Sequence, residues 1–301
     1  MIFHKGFYAM GTRFYAVFPG MDNDRGYRIL EFIRDEINRI ESKLSIFISE
    51  SEISKINNLA FKKEVTVSAE MYEILKICQV YSEITQGAFN IFMRPVLLKW
   101  KNGSGDNKQD FMLSELLSKL NMKNISINDS NKSVRFNNED LEIDLGGFGK
   151  GYALEKIKKI LGDFSVESAF LSFGESSVMT IGNHPAGDHW KVGLKNYSQP
   201  QNALHTFNIR DRSISTSSNF YVDDHGKLQN HWHVIDPATG FPVEEIVTVS
   251  VCSDCAMVAE ILSTAFLVST EDVIRSVTDE FIDISVVKAI YTDGEPEKLI
   301  I

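Results

Sequence analysis

The chain has 301 residues, 43% hydrophobic and 24% charged, enough to bury one large core or two small ones. Its 19 glycines and 7 prolines exclude the collagen-like and Pro/Gly-rich disordered classes. A net charge of −10 opposes nonspecific nucleic-acid binding, so an anionic small ligand would need a local device such as a metal ion. Cys78, Cys252 and Cys255 are too few and odd in number for a disulfide framework, which fits a reducing compartment. No apolar run approaches the ~18 residues of a membrane span, and the N-terminus lacks a signal-peptide core, so a cytoplasmic protein is expected.

Residues 7–18 are rich in aromatic and β-branched side chains and read as a strand or hairpin. Asp22 or Asp24 can then cap a helix whose Ile29, Ile33, Ile37, Ile40 and Leu44 form one stripe. Ser49-Glu50-Ser51-Glu52 reads as a capping box opening a short helix towards Asn57. After a strand at 64–67, Met71, Ile74, Leu75, Cys78 and Tyr81 mark a third helix, closed near Gly87. A polar loop at 102–107 ends this helical third. Strands are predicted at 124–128, 133–136, 140–145, 168–173, 189–194, 203–210, 213–216 and 231–235, with one helix at 148–160 among them. A strand at 246–252, helices at 255–269 and 271–279 and a strand at 284–292 complete the pattern. With no repeat and no clear linker, this predicts one α+β domain over residues 1–301, helices packed on a largely antiparallel sheet.

Three segments carry residues suited to chemistry. Asp144-Leu-Gly-Gly-Phe-Gly-Lys150-Gly runs from a strand end through glycines into a helix. This is either a structural turn or an anion site at a helix start; it matches neither a P-loop nor a dinucleotide fingerprint. In His231-Trp-His233-Val-Ile-Asp236-Pro237, strand alternation would put His231, His233 and Ile235 on one face. His-x-His can bind zinc, although no third ligand is evident, and His233 with Asp236 can form a base and its orienting carboxylate. Glu260 and Thr264 lie four apart in an otherwise apolar helix, so they share a face; they form either a polar stripe facing water or, since carboxylate plus hydroxyl suits a hard cation, a site for an ion such as Mg²⁺. Cys252-Ser-Asp-Cys255 is a single pair and reads as buried or half-buried thiols.

Taken in order, these segments resemble the FAD:protein FMN transferases, the ApbE family once labelled thiamine-biosynthesis lipoproteins. The likeness runs through Met10-Gly-Thr12, Ser45-Ile-Phe47, Ser51-Glu-Ile-Ser-Lys-Ile-Asn57, Gly87-Ala-Phe-Asn90 and Pro95. It continues through Asp144–Gly151, Ser215-Thr-Ser217, His233–Gly240 and Ala259–Thr264. The resemblance implies a single flavin-transferase domain with FAD, as substrate, lying between two lobes. It implies that Met10, Phe47, Ala88, Phe89, Asn90, Asp144, Lys150 and Ile235 contact FAD. The Gly147 carbonyl, Glu260 and Thr264 would hold Mg²⁺, and His233 would be the general base. The implied reaction moves FMN onto a Thr or Ser hydroxyl of an acceptor flavoprotein and releases AMP; the alternatives are hydrolysis of FAD to FMN and AMP, or flavin binding without turnover. The family usually has Asp at Asn90 and at Glu260, Asn-x-Gly-Gly where this chain has Ser172-Phe-Gly174-Glu175, and Ser-Gly at Ser217-Ser218. Asn90 would remove a charge near the flavin, and Glu175 would put one where a ligand approaches.

Overall fold

The computed structural model describes residues 1–101, 110–292 and 295–301. β1 (Ile2–Ala9) and β2 (Thr12–Pro19) form the expected hairpin. Its two-residue link, Met10-Gly11, takes positive φ at both positions, as the twist of a tight hairpin requires. Asp22 caps α1 (Asn23–Leu44) by accepting from the Arg25 N–H at 2.9 Å, and the predicted isoleucine stripe is buried. α2 (Glu52–Leu59) starts later than the capping-box reading has it: Ser51 is the cap, and the Glu52 carboxylate takes the N–H and hydroxyl of Ser68 instead. That contact ties α2 to the start of α3 (Ala69–Ile84), which follows β3 (Val65–Thr66). α4 (Arg94–Lys101) and α5 (Asp110–Lys119) have no counterpart in the sequence reading, and the polar loop expected at 102–107 lies outside the described residues.

β4 (Ile125–Asn128) and β5 (Ser133–Phe136) join β3 in a small antiparallel sheet. The strand expected at 140–145 does not form. Leu141, Ile143 and Leu145 are buried as the alternation requires, but the Asn57 side chain takes the place of a neighbouring strand. Its amide donates to the Ile143 carbonyl at 2.9 Å and its oxygen accepts from the Ile143 N–H at 2.8 Å. Extended backbone thus satisfies its polar groups without a ladder. α6 (Gly149–Asp163) follows.

The remaining elements are β6 (Ala169–Phe173), β7 (Ser177–Ile181), β8 (Trp190–Lys195), β9 (Ala203–Ile209), β10 (Ser213–Ser218), β11 (Phe220–Val222), β12 (Leu228–Asn230), β13 (Ile246–Ser253), α7 (Ala256–Val268), α8 (Glu271–Thr278), β14 (Ser285–Tyr291) and β15 (Glu297–Ile300). The main sheet runs β1-β2-β6-β7-β10-β13-β14-β15, antiparallel throughout. The strand expected at 231–235 is absent apart from a bridge between Ile235 and Pro242. Asn230 Oδ1 accepts from the Trp232 N–H at 2.8 Å and Trp232 adopts positive φ, so a local turn replaces strand pairing. α7 packs on β10 and β13, and α6 packs on α7. A second apolar cluster joins the β8–β9 ribbon to Cys252, Val287 and Tyr291 of the main sheet. Among the described residues no helix is long and apolar enough to cross a membrane.

Neither α6 nor α7 has a side-chain cap at its own N-cap residue; each receives one from the other. Glu260 of α7 accepts from the Gly151 N–H of α6, and Glu155 of α6 accepts from the Ala256 N–H of α7 at 2.6 Å. The exchange needs close contact, which Gly151 provides: a Cβ there would lie 2.5 Å from the Ala256 carbonyl oxygen and 2.8 Å from Met257 Cα. Gly151→Ala is therefore expected to destabilise the protein by about 1–3 kcal/mol in urea unfolding, the cost of an overpacked contact. Gly162→Ala on the same helix meets nothing within 4 Å and should leave stability unchanged or raise it.

Candidate active site

A cleft of 490 Å³ opens between the α3–α4 region and the α6–α7 face of the main sheet. Ala88, Phe89, Asn90, Asp144, Gly147, Lys150, His233, Ile235, Glu260 and Thr264 all line it. Met10 and Phe47 do not. Met10 touches the start of α6, its Cε 3.2 Å from where a Cβ of Gly149 would stand. Phe47 is 86% exposed, with the guanidinium of Arg94, a cleft residue, 5.8 Å from its ring centroid.

Glu260 is the most constrained group there. It is 2% exposed and its two oxygens have different partners. Oε1 pairs with Lys150 Nζ at 3.0 Å. Oε2 takes the Gly151 N–H and lies 3.5 Å from Ser177 Oγ. The helix start that the glycine-rich segment offers to an anion is therefore filled by the protein's own carboxylate. Upstream, Asp144 Oδ1 accepts from the Gly146 N–H at 2.9 Å and shapes the turn. A Cβ on Gly147 would fall 3.0 Å from Thr264 Oγ1, so only glycine lets this backbone lie against the hydroxyl. Thr264 ends a run of hydroxyls: Ser215 and Ser263 at 3.1 Å, Ser263 and Ser217 at 2.9 Å, Ser217 and Thr264 at 3.5 Å. Among the described residues no group of three or more His, Cys, Asp or Glu that could hold a metal converges.

His233 is half-buried, and its buried Nδ1 finds no hydrogen-bond partner among the described residues. Burial, the His231 ring at 4.6 Å and Lys101 together push its pKa down to about 4. It is thus a neutral imidazole at physiological pH. The His233–Asp236 pairing allowed by the sequence does not form. Asp236 spends its oxygens on its own turn, accepting from the Ala238 N–H at 2.9 Å and the Thr239 hydroxyl at 3.0 Å. Arg94, Lys101 and Ser177 also line the cleft and were not singled out from sequence, and His231, read there only as half of a possible zinc-binding His-x-His pair, lines it too. His231 carried a signal, the His-x-His spacing; Arg94 and Lys101 belong to the unforeseen α4.

The sequence model of the ApbE family matches residues 10–287. The chain belongs to the ApbE family. A relative from Klebsiella pneumoniae strain 342, named FAD:protein FMN transferase, is 27% identical over 234 residues, 76% of this chain and 71% of its own. One of the same name from Escherichia coli K12 is 26% identical over 272 residues, 86% and 76%. The crystal structure of the ApbE protein from Thermotoga maritima superposes with a TM-score of 0.82 at 26% identity, covering 99% of this chain and 97% of that one. The Vibrio cholerae flavin transferase ApbE shares the fold, with TM-score 0.82 at 20% identity over 100% and 97% of the two chains.

Two departures from the usual ApbE pattern have structural explanations. Asn90 Oδ1 accepts from the Phe92 N–H at 2.9 Å while Nδ2 donates to the Leu120 carbonyl at 2.8 Å. An aspartate could serve the first contact but not the second, so here the amide is a strut across the cleft wall. Glu175 does not enter the cleft. It is exposed in the β6–β7 turn and lines a separate 290 Å³ hollow beside Lys195 and Tyr197.

Two measurements check this geometry. NMR titration of the His233 ring should give a midpoint near 4, and His231→Ala or Lys101→Met should raise it while burial keeps it below 6.5. Because the unfolded ring binds its proton first, this group lowers stability as pH falls from 6.5 towards about 4. Asn90→Asp should cost about 1–3 kcal/mol in urea unfolding, since it sets a carboxylate against the Leu120 carbonyl.

Proposed function

We propose that this chain, acting as one domain over residues 1–301, is an FAD:protein FMN transferase that moves FMN to a Thr or Ser hydroxyl of an acceptor protein. The observation that carries the reading is the convergence in one cleft of a buried carboxylate, a hydroxyl held against Gly147 and a neutral imidazole. The relatives' names supply the substrate class, and the ordered motifs agree with it.

The donor set fits Mg²⁺. The Gly147 carbonyl, Glu260 and Thr264 offer only oxygen, the chemistry a hard cation takes, and Glu260 is a buried anion that needs a cation beside it. Bound there, Mg²⁺ would neutralise charge on the FAD pyrophosphate and on the leaving phosphate. Lys101 adds positive charge to the cleft of a protein whose net charge is −10, and Arg94, paired with Glu142 at 2.6 Å, and Lys150, paired with Glu260, line it as well. His233, being neutral, can accept the proton of the acceptor hydroxyl as its oxygen attacks the FMN phosphorus. The bond from that phosphorus to the bridging oxygen breaks, AMP departs with that oxygen, and FMN stays joined to the acceptor as a phosphoester. Ala88, Phe89 and Ile235 give the opposite wall of the cleft an apolar character suited to the flavin side of the substrate, with the Asn90 amide beside them.

The test is incubation with FAD, Mg²⁺ and a Thr-containing acceptor domain, followed by mass spectrometry. FMN mass on the acceptor supports the proposal; free FMN points to hydrolysis, and intact FAD to binding alone. His233→Ala should slow transfer by about 10²–10⁴-fold, the usual loss with a general base, while FAD binding persists. Glu260→Ala should abolish Mg²⁺-dependent turnover and Glu260→Asp should retain part of it; Mg²⁺ titrations that overlap for all variants would remove Glu260 from the metal site.

A further inference from the structure

The two oxygens of Glu260 are held by groups of very different mobility. The partner of Oε2 is the Gly151 N–H, fixed in the first turn of α6, with Ser177 Oγ of β7 3.5 Å away. The partner of Oε1 is Lys150 Nζ at 3.0 Å, the tip of a long flexible side chain that is 26% exposed and lines the cleft. One oxygen is pinned by backbone; the other is held by a group that can leave.

A carboxylate this buried demands a positive partner, because an unpaired charge in low dielectric is strongly destabilising. An ammonium can meet that demand, and so can a divalent cation. Both cannot share Oε1 comfortably, since two positive charges a few ångström apart repel through the same poorly screened medium. We propose that Lys150 is a displaceable counter-ion: it holds Glu260 Oε1 until a divalent cation takes that oxygen, and its freed ammonium then turns into the cleft towards the substrate phosphates. This rests on the Mg²⁺ reading above and adds to it a role for Lys150 before substrate arrives. The charges support the exchange. Carboxylate and ammonium cancel while paired, and the doubly charged cation enters together with a pyrophosphate bearing two negative charges. The site is neutral in both states, and a cation without the pyrophosphate has to compete with the lysine.

The extra methylene of Glu260 is part of this arrangement, because it lets Oε2 stay on α6 while Oε1 changes partner. Lys150 accordingly acts as a positioning residue for the metal, with consequences that appear before any chemistry.

The test uses Mg²⁺ alone, without FAD, titrated calorimetrically into the wild-type protein, Lys150→Met and Lys150→Arg. Lys150→Met should bind Mg²⁺ about tenfold more tightly than wild type, an effect of about 1.4 kcal/mol, and Lys150→Arg should stay close to wild type. A second measurement needs no variant. Acetylation of Lys150 by an N-hydroxysuccinimide ester, followed by peptide mass spectrometry, should run severalfold faster with Mg²⁺ than with sodium at equal ionic strength. This decides the matter if Lys150→Met fails to fold. Equal Mg²⁺ affinity in wild type and Lys150→Met, or acetylation indifferent to Mg²⁺, overturns the exchange and leaves the metal site standing. No Mg²⁺ binding by any of the three proteins overturns both.

Discussion

The mutual capping of α6 and α7 is the contact on which the site depends. A helix start leaves unsatisfied N–H groups, and usually a Ser, Thr, Asp or Asn just before it supplies the acceptor. Here Phe148 and Cys255 occupy those places and make no side-chain cap. The acceptors come instead from Glu260 and Glu155, each on the other helix. Local stability has thus been exchanged for a fixed relation between two helices, and this relation sets Lys150, Glu260 and Thr264 around one end of the cleft. The far end of α7 is held as well: Lys288 of β14 donates to the Phe266 and Ser269 carbonyls at 3.0 and 2.8 Å. Burial lowers the pKa of that lysine, with Glu245 opposing the shift, yet two carbonyl partners give its ammonium a use at a helix C-terminus.

What could be read from the sequence follows from how local each signal is. The stripe of α1 and its cap, Asp22 of the two aspartates the pattern allows, involve neighbours in sequence, and they appear where pattern rules put them, with small shifts such as Ser51 for Ser49. Alternation at 140–145 correctly marks the buried positions Leu141, Ile143 and Leu145, and at 231–235 it marks a segment that turns instead; in neither case can it say who supplies the hydrogen bonds. At Ile143 the supplier is Asn57, far away in sequence; at 231–235 the polar side chains of Asn230 and Asp236 fold the chain back on itself. α4 was invisible for another reason: only Val96 among its residues is buried, so it carries almost no periodic stripe.

The site shows the same division. The spacing of Glu260 and Thr264 on one helix face was legible, and so was the glycine run that ends beside them. The partnership of Glu260 with Lys150 was not, because it spans 110 positions. His233, which lines the cleft, was singled out through its company of motifs and on a strand geometry that does not form. Its low proton affinity comes from burial and two neighbouring groups, which no spacing rule reports.

The substitution of glutamate for the usual aspartate is best understood through reach. Glu260 must span from α7 to the Gly151 N–H while keeping its second oxygen at the cleft, with Lys150 beside it. The α6–α7 separation is already at its lower limit, since Gly151 leaves no room for a methyl group. A shorter side chain could not be served by moving the helices closer. It would have to give up either the cap or its place in the cleft. The added methylene removes that choice, at the cost of an arm with one more rotatable bond, and the pinning of Oε2 by backbone removes much of the freedom the longer arm brings. Asn90 follows a parallel logic on the opposite wall. There the charge of an aspartate is given up for an amide that can donate to Leu120 and accept from Phe92 at once. With Asn90 neutral, the negative charge facing the cleft rests on Asp144, which is engaged in its turn, and on Glu260, which is paired. The cleft of an acidic protein thereby becomes a place where an anion can enter.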